Sequence, residues 1–415
     1  MSLKYISFFS IVFSIAVVLF LSFIPAFYEH LRVDIYGQYL ANALVFLQNG
    51  NLKLQGYNEY QPIAVIFFIT ISPVLKLALQ SDIYLTYVYT FYLFNILFIF
   101  INALLIYKIT KNYANLLLFS TIILFTGPII LHRFELLLFI FNYLATYYFI
   151  RKKYLLHGFF ISIAIFTKIF PIILVPYFLI LIVRNRNRIE NLTKTILGIL
   201  TGSLFTLMVY VILLNVPLLK ILQDLKIHAI KPVHAESLYA TILTIYNYFF
   251  TNIKNSGFGR DGIFGINDSY IYLPLWFYNY FWIIPIFIAY LIFLFKNKNL
   301  KFNPIIPFFI LVDFIVFSKI LTAQYILWFT LFLPLLNIEK IRSNNTLKII
   351  IVLNLTGLLI TQYIYPLNYN VLLYNFFTQG NDTYIFWILV IRNFLISLIF
   401  TLCLYYLHKN TKVLE

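Results

Sequence analysis

ISFFSIVFSIAVVLFLSFIPAF, residues 6–27, carries no charged side chain across its whole length. At about 1.5 Å per residue a helix of that size covers the roughly 30 Å hydrocarbon core of a bilayer. Runs of the same kind return at 196–216 and 384–407, and shorter ones fill most of the chain between them. Charged residues make up 11% of the whole, against roughly 25% in a soluble domain, so no water-facing surface can be built from them. The reading is an all-α, multi-pass transmembrane helical bundle, a single integral membrane domain over 1–415. A lone Lys4 precedes the first run and no small-residue cleavage site follows it, so it is expected to stay as a helix rather than leave as a signal peptide. One cysteine, Cys403, excludes an intramolecular disulfide and any cysteine-rich metal site.

A net charge of +16 would suggest nucleic acid for a soluble protein, but the positions of the cations point to topology instead. Lys108 and Lys111, Arg151 to Lys153, Arg184 to Lys194, Lys296 to Lys301, Lys340 to Lys348, and Lys409 with Lys412 form short clusters between apolar stretches. Such clusters mark cytoplasmic loops. Placing them inside gives passages at 6–27, 84–107, 114–131, 134–150, two within 154–183, 196–216, 272–295, two within 305–336, 347–366 and 384–407. That is about 12 spans, with both termini cytoplasmic and two outer segments, 28–83 and 217–270. Residues 63–79 are apolar but broken by Pro73; a crossing there would invert every later cluster, so they are expected to form a re-entrant or interfacial helix.

The outer segments hold the unusual residues. Glu29, Arg32, Asp34 and Glu59 gather in the first, although the chain has only 14 acids. Residues 36–47 alternate apolar and polar faces at helical spacing and stop at Asn49-Gly50, which reads as an amphipathic helix on the membrane surface. Asp34 can serve as a base or merely solvate a loop or cap that helix. Arg133, Lys168, Lys231 and Lys319 fall at the outer ends of spans, against the positive-inside bias; each can hold an anion or snorkel to lipid headgroups. His228, His234 and Glu236 lack the spacing of a zinc motif, and polar contacts to a sugar or phosphate suit them better. Asp313 and Arg392 lie inside spans, where they either pair with each other or line a groove. GFGRDG, 257–262, is not a phosphate loop, since no strand precedes it.

This layout resembles the type C membrane glycosyltransferases, in which an acid in the first outer loop is the catalytic base, followed by helices along the membrane and a Tyr/Pro-containing entry to the next apolar segment. Asp34 and NEYQP, 58–62, stand at matching places. HGFFISIAIFTKIFPIILVP (157–176), HAESLY (234–239) and SKILTAQYILWFTLFLPLL (318–336) are similar to stretches of the polyprenyl-phosphate-mannose-dependent mannosyltransferases. The chain departs from them at Ala323, where a proline is expected before the Gln-Tyr pair.

The resemblance implies a metal-independent, inverting mannosyltransferase of the cell membrane, with its active site on the outer face and no cofactor beyond the lipid-linked sugar it consumes. Asp34 is its catalytic base. Arg32, Glu59, Arg133, Lys168, Lys231, His234, Ser237, Lys319, Gln324 and Tyr325 are its donor or acceptor contacts, with the donor phosphate near Lys319. The implied partners are a polyprenyl-phosphate sugar, a glycan or glycolipid acceptor and the bilayer, with no nucleic acid. The competing reading is a transporter or flippase of a lipid-linked sugar, a class in which internal repeats are common; none is visible between the halves of this chain.

Overall fold

A lipid environment leaves backbone groups no water to bond with, so a chain of this composition must satisfy them within helices. The computed structural model accordingly contains helices and no strands among the residues it describes, which are 2–52, 60–77, 82–184, 187–221, 223, 231–250, 274–296, 302–378 and 384–411. Among these described residues five helices are long and apolar enough to cross a membrane, and several shorter apolar ones accompany them. The chain divides into two compact units, one of residues 1–117 and 128–228, the other of residues 118–127 and 229–415.

The first unit begins with α1 (Leu3–Ser22). The expected single passage 6–27 stops early because Pro25 has no N–H to donate and restarts the chain as the first residue of α2 (Pro25–Asp34). A π-helical stretch, Ile35–Leu40, carries α2 into α3 (Ala41–Asn49), which ends on Gly50 at φ 66°. A helix is therefore present over the expected 36–47, as the far part of a longer helical run. The apolar stretch 63–79 folds as two short pieces, α4 (Pro62–Thr70) and α5 (Ser72–Leu77). After α6 (Ile83–Thr110), α7 (Ala114–Thr126) passes into the second unit at residue 118.

Back in the first unit come α8 (Ile129–His132), α9 (Glu135–Ile150), α10 (Tyr154–Thr167), α11 (Val175–Val183) and α12 (Arg188–Met208). Two buried asparagines of α6 tie it to the break between α8 and α9. Asn95 donates to the Leu131 carbonyl and Asn102 to the Leu136 carbonyl, each at 2.9 Å. A helix that stops inside an apolar core leaves carbonyls without N–H partners, and Asn95 supplies one. Ile196, Leu197, Leu200, Leu204 and Phe205 of α12 point outward and exposed, as a lipid-facing surface requires.

The second unit holds α13 (Leu238–Phe250), α14 (Leu275–Tyr280), α15 (Ile283–Lys296), α16 (Ile305–Phe317), α17 (Tyr325–Thr330), α18 (Ile338–Ser343), α19 (Asn345–Gln362) and α20 (Tyr384–Thr411). The helix α13 lies within the expected outer segment 217–270, where the sequence reading names no helix. It turns a small and polar face, Ala240, Thr241, Thr244 and Asn247, into the protein and leaves Ile242, Tyr246, Phe249 and Phe250 exposed. Its apolar residues face away from the core, the reverse of a helix on a water-soluble protein. Packing of α20 on α16 is aromatic: the Phe400 ring meets Phe309 and Phe317, one α-helical turn either side of Asp313, at 5.6 Å each.

Candidate functional site

Polar groups collect in the first unit where α8 stops. His132 closes that helix, Arg133 is extended at φ −124° and ψ 160°, and α9 starts at Glu135. His132, Arg133 and Glu135 are all buried, so each needs a partner. The Arg133 guanidinium forms an ion pair with Asp34, the last residue of α2. Glu135 takes the ammonium of Lys168, which lies past the end of α10 and also sits 4.7 Å from the centre of the Phe134 ring. His132 gives its Nδ1 proton to the Pro128 carbonyl at 2.9 Å and meets the Tyr92 hydroxyl through Nε2. Asp34 keeps 34% of its side-chain surface open, whereas Arg133 keeps 6% and Glu135 1%. The arrangement is thus an accessible carboxylate backed by a buried cation, with a second, closed acid–base pair beside it.

Glu135 escaped the sequence reading, which took Arg133 and Lys168 as two cations at separate span ends. The available signal was HRFE, 132–135: three ionisable residues inside an otherwise apolar hairpin. Arg32 is near Asp34 in sequence but reaches over the Tyr36 ring, 5.6 Å from its centre. Glu29 is exposed on the same helix. Glu59 lies outside the described residues, as do His228 and GFGRDG.

The second unit brings together another part of the expected set. Residues 231–237 are not helical, yet Val233, His234, Ala235, Glu236 and Ser237 are all buried. The His234 N–H donates to the Lys319 carbonyl at 2.9 Å. In return the Lys319 ammonium donates to the Lys231 carbonyl at 2.6 Å and to the Asn279 side chain. Ser237 accepts the Ala240 N–H at 3.1 Å and so caps α13. Gln324 precedes α17, and Tyr325 stacks on Trp328 with ring centres 3.7 Å apart. Burial pushes the His234 imidazole down from its ordinary value, with Glu236 pulling the other way.

One alternative left open by the sequence is decided here. Arg392 does not pair with Asp313; it donates to the Glu236 carboxylate and to the Glu236 carbonyl, both at 2.7 Å. Asn393 adds a bond to the same carbonyl at 3.0 Å and one to Thr241 at 2.7 Å. Both oxygens of Asp313 are buried and have no hydrogen-bond partner among the described residues. Among the described residues no three His, Cys, Asp or Glu side chains gather as a metal site would require. Neither a protein-family model nor a curated protein matches the sequence.

Proposed function

We propose that the chain is a glycosyltransferase of the cell membrane that moves a sugar, mannose on the motif resemblance, from a polyprenyl-phosphate donor to a glycan or glycolipid acceptor on the outer face. The observation that carries this reading is the pairing of Asp34 with Arg133. A transfer from a phosphate-linked sugar needs a carboxylate open to the acceptor and a fixed cation for the leaving phosphate, and the pair supplies both at one place.

In the proposed step the acceptor hydroxyl oxygen attacks the anomeric carbon while the bond from that carbon to the phosphate oxygen breaks. The hydroxyl proton goes to Asp34 and the polyprenyl phosphate leaves with the electron pair. A single displacement inverts the anomeric centre. Arg133 meets the growing charge on the phosphate, which draws it from Asp34 and leaves that carboxylate to act on the hydroxyl. Lys168, held by Glu135, adds a second positive charge in the same cluster. The architecture that goes with the proposal is a type C glycosyltransferase-like bundle of about a dozen passages, both termini cytoplasmic.

The test is transfer of radiolabelled mannose from polyprenyl-phosphate mannose by the purified protein, with oligosaccharide and glycolipid acceptors. Transfer that disappears in Arg133→Gln supports the reading; wild-type protein that neither transfers the label nor binds the donor overturns it.

A further inference from the structure

Arg392 is 0% exposed, on the third turn of α20, and it holds a segment with no secondary structure of its own. A buried coil must find partners for its backbone, and Glu236 finds them on α20: Arg392 grips its carboxylate and its carbonyl together, and Asn393 grips the carbonyl again. Two residues earlier the same segment is bonded to Lys319 through the His234 N–H, and three residues before that the Lys231 carbonyl accepts the Lys319 ammonium. What fixes Glu236 therefore also fixes one of the acceptors that aim Lys319, another being the Asn279 side chain.

We infer that Arg392 is a positioning residue for the Lys319 ammonium, acting through Glu236 and the segment 231–237. Only the second measurement below rests on the proposed function, and there on the donor role that the motif resemblance gives Lys319. Stability alone does not call for such a pair, because well-packed apolar residues of similar volume replace buried ion pairs at little cost. A two-point grip on one residue's side chain and backbone does set where that residue sits, and the planar guanidinium makes that grip where an ammonium cannot.

Two measurements on the full-length protein in lipid nanodiscs separate the inference from the proposed function. The first is the rate of reductive methylation of Lys319, read by mass spectrometry, in the wild type, the double variant Glu236→Leu/Arg392→Leu and the conservative Arg392→Lys. The double variant is expected to unfold at close to the wild-type temperature and to methylate Lys319 roughly tenfold faster, the scale of one lost charge-assisted hydrogen bond. Arg392→Lys, which keeps the charge and loses the grip, is expected to fall on the same side. Wild-type reactivity in whichever of these variants folds overturns the inference. The second is the KM and kcat for polyprenyl-phosphate mannose. A KM raised roughly tenfold with kcat nearly unchanged assigns the positioned amine to the donor. Faster methylation with an unchanged KM upholds the positioning and overturns the donor role of Lys319.

Discussion

Asp34 has a chemical role only if its carboxylate can receive a proton, and that fixes the expected outcome of a single substitution. Asp34→Asn keeps the size and shape but removes the base, so transfer is expected to fall on the order of 100-fold or more while the protein still inserts and binds donor. If Asp34→Asn turns over normally and Glu29→Gln or Glu59→Gln does not, the base is that other carboxylate. His234 makes a different prediction. Its folded-state proton affinity lies below the ordinary imidazole value because burial disfavours the charged ring. The unfolded chain therefore binds the proton more readily, so the contribution to stability is intact above about pH 6.5 and lost as the pH falls below it. Unfolding temperatures measured from about pH 8 to about pH 5 should drop less in His234→Gln than in wild type; equal slopes would remove His234 as the cause. Residue identity made Asp34 and His234 legible as candidates, because acids and imidazoles are scarce in this chain. Their partners were not legible, since Arg133 and Lys319 are distant in sequence and look like any other membrane-edge cation.

Helix α10 crosses α12 at a distance that only glycine allows. A methyl group built on Gly158 would stand 2.1 Å from the Thr195 carbonyl oxygen, and one on Gly198 would stand 2.1 Å from that of Leu155. Both obstacles are backbone, so a side chain cannot swing aside to relieve them, and the helices must separate. Close approach of this kind is how membrane helices gain packing without a hydrophobic drive between them. Gly198→Ala is expected to destabilise the fold by about 1–3 kcal/mol, visible as a lower unfolding temperature in detergent. Gly357 on α19 has open space around its Cα, so Gly357→Ala is the control and should unfold like the wild type or slightly above it. An equal loss in both would mean that helix separation is not the cause. The apolar runs announced α10 and α12 as elements, but nothing in either run named the other as its partner. α13 was not singled out along the chain; only the folded structure shows that its exposed side is the apolar one and its inward side small and polar.

At the scale of the molecule, the basic clusters predict orientation. With Cys403 replaced by alanine, a membrane-impermeant maleimide applied to intact cells should modify a cysteine at position 267 and spare one at position 152, which belongs to a basic cluster expected on the cytoplasmic side. The reverse pattern would invert the protein and put Asp34 on the wrong face for the proposed reaction. Sequence by itself determined the class of molecule and the material of its elements. A chain with 62% apolar residues and 11% charged ones has to live in lipid, and lipid obliges the backbone to bond within helices. Those constraints act along the chain, over a few residues at a time, and so can be read in one dimension. Tertiary structure alone decided which charges meet. Asp34 takes Arg133, Glu135 takes Lys168, and Glu236 takes Arg392 across 156 positions, because packing brings their helix ends and loops together. An ion pair in a poorly solvating interior is set by distance in space, on which the order of residues in the sequence places almost no constraint.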